Sequence, residues 1–259
     1  MLLLLLLQSA PLAAKPLPTM SELRYEECIT LATKNPGDGL VEAGLWIKEN
    51  GGYLAVHCLA TSLATDFKFA DAAPLFAKSA KGAEAGKDTR AAKFWAQAGN
   101  AAIAADQPVD ALTALDAALA SAGLTNAERG DVLIDKARAL VGAGREKDAG
   151  EVLSDARKLA PENGTGFLLS ATLARRLGSL AEAQRLITTA AALSPYEPAI
   201  PLEAGNIAAA AGNEAAARRA WEQVIKIAPN SRQAVTAQAR LTAMPADKAP
   251  SPVPDAQSR

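Results

Sequence analysis

The residues able to do chemistry are few and scattered. His57 is the one histidine in 259 residues, so a triad or general base built on imidazole has to use it. It falls on a predicted helix, and its neighbours signal no nucleophile–His–carboxylate set. Cys28 and Cys58 are the only cysteines; they lack Cys-x-x-Cys spacing and nothing adjacent marks a depressed thiol pKa. One His and two Cys exclude most zinc sites and His-rich metal centres. Gly82-Ala83-Glu84-Ala85-Gly86-Lys87-Asp88 has the outline of a phosphate loop. It is one residue short between the glycines, ends in Asp instead of Ser or Thr, and follows a helix instead of a strand. The carboxylates show no Asp-x-Asp pattern for a metal. Asn163-Gly164-Thr165 has the form of a glycosylation sequon, which counts only in a eukaryotic secretory pathway. Arg175-Arg176 and Arg218-Arg219 read as solvated helix faces. The expectation is a non-enzymatic protein with no cofactor and no metal.

The elements that would position such residues are helical. Counting along the chain gives 61 alanines, close to a quarter of the residues, against 4% aromatics. Ala is the best helix former and a poor strand former, so a core of small residues suits closely packed helices. The 27 basic residues are balanced by 28 acidic ones. That balance removes the electrostatic footprint of a nucleic-acid binder.

Pro161, Pro195 and Pro229 lie 34 residues apart, twice in succession, in matching surroundings: Lys158-Leu159-Ala160-Pro161, Ala192-Leu193-Ser194-Pro195 and Lys226-Ile227-Ala228-Pro229. With the prolines as thirty-second position, position 8 reads Ala137, Ala171 and Gly205, and position 20 reads Ala149, Ala183 and Ala217. Position 24 reads Leu153, Ile187 and Trp221, and position 15 reads Gly144, Gly178 and Gly212. This pattern resembles the tetratricopeptide repeat (TPR) family, a helix–turn–helix repeat whose small residues lie where its two helices cross. A turn glycine suits a helix end that needs positive φ.

Two upstream repeats lack the proline. One starts at Ala92 with Trp95, Ala98, Gly99, Ala102, Ala111, Leu115 and Ala118 in place; the other starts at Tyr53 with Val56, Leu59, Ala60, Leu63, Ala72, Phe76 and Ser79. Their longer spacing predicts polar turn insertions near 82–90 and 121–129. Residues 21–50 read as a helical cap, with Tyr25, Cys28, Ile29 and Ala32 on one face of its first helix and Leu40, Ala43, Gly44 and Ile47 on one face of its second. Asn230 or Ser231 is expected to cap a last helix running to about Met244, with Ala234, Ala237, Leu241 and Met244 inward. Residues 245–259 hold four prolines without apolar periodicity and read as a disordered tail. The expected fold is all-α, a right-handed α-solenoid of about five TPR helix–turn–helix repeats with N- and C-terminal helical caps. The expected layout is a signal peptide (1–14), linker and cap (15–52), solenoid with capping helix (53–244) and tail (245–259).

The resemblance implies binding through the concave surface formed by the first helix of each repeat. Mapped onto this chain, its groove positions include His57, Thr61, Lys93, Asn100, Ile103, Asp131, Arg138, Thr172, Arg175 and Asn206. Asn100 and Asn206 stand where the family often grips a peptide backbone, and Arg138 and Arg175 could hold a carboxylate. The subfamily that clamps a C-terminal carboxylate uses Lys and Asn where this chain has His57, Thr61, Gln97, Asp131 and Asp135. The two aspartates would repel a carboxylate, which argues against that clamp. The resemblance implies a scaffold that binds a peptide or partner protein; the alternative is a structural or assembly subunit of an envelope complex that uses its convex face or ends.

Met1 is followed by six leucines, then by small residues and Lys15-Pro16. The run is too short to span a bilayer and resembles a secretory signal peptide, although no Lys or Arg precedes it. The expected location is periplasmic or secreted; translation from Met20 would instead leave a cytoplasmic protein. Cys28 and Cys58 fall on helices that should be neighbours in the stack. In an exported protein they would form a disulfide, and in a cytosolic one two separate buried thiols.

Overall fold

A computed structural model of the chain describes residues 19–244; the expected leader and tail lie outside them. The described residues form helices throughout: α1 (Met20–Lys34), α2 (Pro36–Lys48), α3 (Gly52–Thr65), α4 (Phe69–Ala85), α5 (Ala91–Ala104), α6 (Pro108–Ala120), α7 (Asn126–Gly142), α8 (Glu146–Leu159), α9 (Gly164–Arg176), α10 (Leu180–Leu193), α11 (Ala199–Ala210), α12 (Glu214–Ile227) and α13 (Arg232–Ala243). Each odd-numbered helix up to α11 forms a hairpin with the next, and α13 closes the stack against α12. Direct packing also joins first helices of neighbouring hairpins: α1 on α3, α5 on α7, α7 on α9, α9 on α11. His57 of α3 reaches Phe94 and Gln97 of α5, so the first helices line one continuous face and the second helices lie behind them.

Local signals set the helix ends. Thr19 and Thr125 open α1 and α7 with capping boxes: each hydroxyl accepts from the N–H of Glu22 or Glu128, whose carboxylate accepts from the threonine N–H. Ser231 caps α13 by accepting from Ala234 N–H. Gly144, Gly178 and Gly212 take φ of 73°, 80° and 74° in the hairpin turns, the left-handed region that costs glycine nothing. In the two upstream repeats the same turn position is held by Phe67 and Asp106 at φ 59° and 56°.

The crossing positions are closed. Ala72, Ala111, Ala149, Ala183 and Ala217 are all 0% exposed. Against them lie Ala60, Ala137 and Ala171, also buried, and the bare faces of Gly99 and Gly205. The bulk that fills each crossing comes from Phe76, Leu115, Leu153, Ile187 and Trp221. At Gly99 a Cβ would stand 2.5 Å from Leu115 Cγ, and at Gly205 it would run into the Trp221 indole. Bulk on one helix is thus matched by absence on the other.

Two expectations are corrected. The extra residues of the upstream repeats are divided between five-residue turns at 86–90 and 121–125 and added helix, since α4 and α7 run to 17 residues each. Gly82 is no turn residue but lies inside α4, where an added Cβ would stand 2.6 Å from Tyr53 Cβ. Thr125 starts α7 a turn earlier than the repeat register suggests. In α2 the buried stripe is Gly39, Ala43 and Trp46, while Ile47 is 37% exposed. The absence of a side chain at Gly39 turns α2, because a Cβ there would stand 2.6 Å from Ala32 Cα. No described helix is long and apolar enough to cross a membrane.

Candidate functional site

The face lined by first helices begins with an aromatic floor. His57 of α3 is 3% exposed, so it does not stand free in the groove as its repeat position implied. Its ring lies 3.9 Å from the Phe94 ring centroid and meets Phe76 edge-on at 5.2 Å. Nδ1 faces the Tyr25 hydroxyl at 3.0 Å, and Nε2 faces Gln97 Oε1 at 2.6 Å. The neutral ring with its proton on Nε2 satisfies both: Nε2–H donates to Gln97 and Nδ1 accepts from Tyr25 O–H. Burial pushes the imidazole down to about 4, against a smaller upward pull from the Gln97 hydrogen bond.

This has a measurable consequence. Above pH 6.5 His57 is neutral in both the folded and the unfolded chain. As the pH falls from there to about 4, the unfolded chain takes up a proton that the folded protein refuses, so stability is lost. Urea unfolding at about pH 7 and about pH 5.5 should show the wild type losing about 1 kcal/mol more than His57→Gln. Equal losses in the two proteins would contradict the buried neutral ring.

Beyond the floor, a cavity of about 430 Å³ opens between α5 and α7. Phe94, Leu124 and Val132 supply its apolar wall; Arg90, Lys93, Asn100, Glu128, Asp131 and Asp135 supply polar groups. Most of these are paired. Lys93 meets Glu128 at 2.7 Å and Arg90 meets Asp88 at 2.5 Å. Lys93 and the Thr125 cap hold the Glu128 carboxyl down at about 2. Arg138 donates to Asp135 at 2.8 Å, one turn away on the same helix. Burial raises the Asp135 carboxyl above the ordinary carboxylate range; Arg138 and Asn100 pull it back, and Asp131 pushes it further up. Asp131 itself accepts from the neutral Asn163 amide at 2.6 Å. The same Asn163 caps α9 by accepting from Thr165 N–H, so its side chain is committed at both ends.

On the other side of α7 a smaller cavity of about 190 Å³ lies between α7 and α9. Ala137, Val141, Leu153, Leu169 and Leu173 line it, with Thr172 and the arginines 138 and 176 around them. Arg176 is tied to Glu146. Further along, Arg175 of α9 donates to Glu203 of α11 at 2.6 Å, although the Glu203 side chain is only 8% exposed. Asn206 gives its amide to the same carboxylate at 3.0 Å, and its buried Oδ1 has no hydrogen-bond partner. A separate cleft of about 580 Å³ lies on the opposite side, between α4 and α6, lined largely by alanines with Lys78, Lys81 and Asp110.

No protein-family model and no curated protein sequence matches the chain. Solved structures do. PilW, a widely conserved type IV pilus biogenesis factor, superposes with a TM-score of 0.70 at 17% identity, covering 86% of this chain and 100% of that one. PilF of Pseudomonas aeruginosa gives a TM-score of 0.65 at 16% identity, with the same two coverages. YrrB, a TPR protein with an unusual peptide-binding site, gives 0.52 at 22% identity, covering 76% of this chain and 97% of that one. The chain has the tetratricopeptide-repeat fold. At these identities the likeness concerns architecture alone.

The TPR register places the groove residues unequally. Lys93, Asn100 and Asp131 line the larger cavity, and Arg138 and Thr172 the smaller. Arg175 and Asn206 meet through Glu203 beyond both. Thr61 donates to the His57 carbonyl, and Ile103 packs against the core. Tyr25 and Arg90, which also line the larger cavity, lie outside the repeat positions. They come from the cap and from the turn before α5, where no repeat position points to them. Glu203 could have been noticed as the carboxylate nearest in register to Asn206, but only the fold brings Arg175 onto it.

Proposed function

We propose that this protein is a non-enzymatic interaction scaffold that holds an extended segment of a partner protein in its TPR groove. The observation that carries the reading is that the face lined by first helices has two cavities flanking α7, one ringed by charged side chains over an aromatic floor and one mainly aliphatic. A neutral, doubly bonded His57 supports the absence of imidazole catalysis. An exported, envelope-associated location is part of the proposal and rests on the Cys28–Cys58 disulfide, which persists in oxidising compartments.

A random-peptide selection against the purified protein tests this. Selected peptides should bind at least about tenfold more weakly to Ala96→Trp, which fills the larger cavity, and unchanged to Lys78→Glu in the opposite cleft. Peptides indifferent to Ala96→Trp would sink the groove reading. One observation favours a second reading, assembly through an end of the solenoid. Met20, Leu23, Leu31, Val41, Leu45 and Ile47 make six of the eleven exposed large hydrophobic residues among those described, all in the first hairpin. Light scattering would support it by finding a stable oligomer that Val41→Lys with Leu45→Lys returns to monomer.

A further inference from the structure

The two cavities stand on either side of α7, and their charge balance differs. Of the charged residues that line the larger, Arg90 is paired with Asp88, Lys93 with Glu128, and Asp135 with Arg138, which lines the smaller. Asp131 is left with only the neutral Asn163 amide, four residues before Asp135 on the same helix. The cavity as a whole therefore carries one negative charge beyond its internal pairs. Its wall between the cations and the aspartates is apolar, built by Phe94, Leu124 and Val132. An occupant that fits has an aliphatic stem ending in a single positive charge, the form of a Lys or Arg side chain. In the smaller cavity Arg138 and Arg176 are already neutralised by Asp135 and Glu146, and the lining between them is aliphatic. It asks for an uncharged branched side chain.

The spacing of the two follows from the fold. Cavities flanking one helix are separated by about one interhelical distance, ~8–10 Å. A polyproline-II segment advances ~3.1 Å per residue with three residues per turn, so residues i and i+3 point the same way ~9 Å apart. A β-strand turns residues i and i+3 to opposite sides, and its same-side neighbours i and i+2 are only ~7 Å apart.

We propose that the groove selects an extended peptide in which a Lys or Arg side chain, seated between α5 and α7, lies three residues from a Leu or Ile side chain seated between α7 and α9. This rests on the groove-binding reading above and adds to it the chemistry and spacing of the bound segment. Asp131 receives the cation, and Leu169 and Val141 receive the aliphatic group.

The test uses the full chain and fluorescein-labelled, capped peptides on an Ala/Gln background at about 0.15 M salt, where non-specific charge effects are screened. The set holds Lys-x-x-Leu and Leu-x-x-Lys, the same residues at spacings of two and four, and versions with Glu or Gln for Lys and Ser for Leu. One of the two spacing-three orders should bind about tenfold tighter than its Glu version and than either altered spacing. Asp131→Asn should erase the preference for Lys over Gln and keep that for Leu over Ser. Thr172→Phe, at the smaller cavity, should do the reverse. If peptides bind and Ala96→Trp blocks them, but Lys confers no advantage or the advantage survives Asp131→Asn, this inference is overturned and the groove reading stands. If no peptide in the set and none from the random selection binds in a way that Ala96→Trp blocks, both fall together.

Discussion

Replacing Leu115 by alanine should lower the unfolding free energy by about 2–5 kcal/mol, the range for removing a fully buried leucine. Leu115 is 0% exposed and fills the crossing of α5 and α6 from one side, while Gly99 leaves it room on the other. The pair gives a sharper result than either change alone. Gly99→Ala puts a Cβ 2.5 Å from Leu115 Cγ, an overpacking that costs about 1–3 kcal/mol and outweighs the alanine's gain in helix propensity. In the Leu115→Ala background the obstruction is gone and the same substitution should stabilise by about 1 kcal/mol. Urea unfolding of the four proteins, with hydrogen exchange in α5 and α6 as a local readout, checks the change of sign. A Gly99→Ala effect of the same sign and size in both backgrounds would show that the two positions are not complementary. The Gly205–Trp221 crossing repeats the device with a larger ring.

Loss of the Cys28–Cys58 bridge should cost the N-terminal end about 3–4 kcal/mol, the chain-entropy value for closing a loop of 30 residues. Both cysteines are fully buried, and the bridge ties α1 to α3 across a Cα–Cα distance of 6.0 Å. A terminal hairpin has a neighbour on one side only, so the loss should appear as local opening instead of global unfolding. Hydrogen exchange of reduced protein, or of Cys28→Ser with Cys58→Ser, should quicken by about 10²–10³-fold in α1 and α2 and little beyond α5. Uniform loss of protection along the stack would contradict this. The other ties of α1 are weaker: Arg24 reaches Glu42 at 2.8 Å and Glu49 at 2.6 Å, but all three side chains are at least 30% exposed. Because Tyr25 sits on α1 and borders the larger cavity, opening the hairpin would also unbuild that end of the groove. The same bridge bears on location. Protein taken from its native compartment and alkylated without reductant should carry no thiol adduct, and two adducts would count against export.

The repeat could be read because its requirements are local and periodic. Small residues at the crossings, bulk at Leu153, Ile187 and Trp221, glycines at Gly144, Gly178 and Gly212 and proline after the second helix each answer one backbone or packing demand, and the demand recurs every 34 residues. Helix-cap chemistry is equally local, and Ser231 opens α13 as its type predicts. The errors fell where a distant contact decides. Gly82 is a turn residue by composition, but Tyr53 makes it a packing residue inside α4. The α2 stripe follows the gap at Gly39, which no periodicity in α2 reveals.

The candidate site divides the same way. Because position within a repeat sets direction, the chain by itself indicated which helix faces share one side of the stack and which side chains could stand there. Only the tertiary structure decided which of those side chains are already spoken for. Arg175 is bound to a glutamate 28 residues away, Asp131 to an asparagine 32 residues away, and His57 is enclosed by rings from α1, α4 and α5. Charge pairing and burial depend on distances between helices, and a one-dimensional repeat carries no measure of those. That is why the sequence could line up the first helices on one face, and why the charge on Asp131, met only by a neutral amide, became visible only in three dimensions.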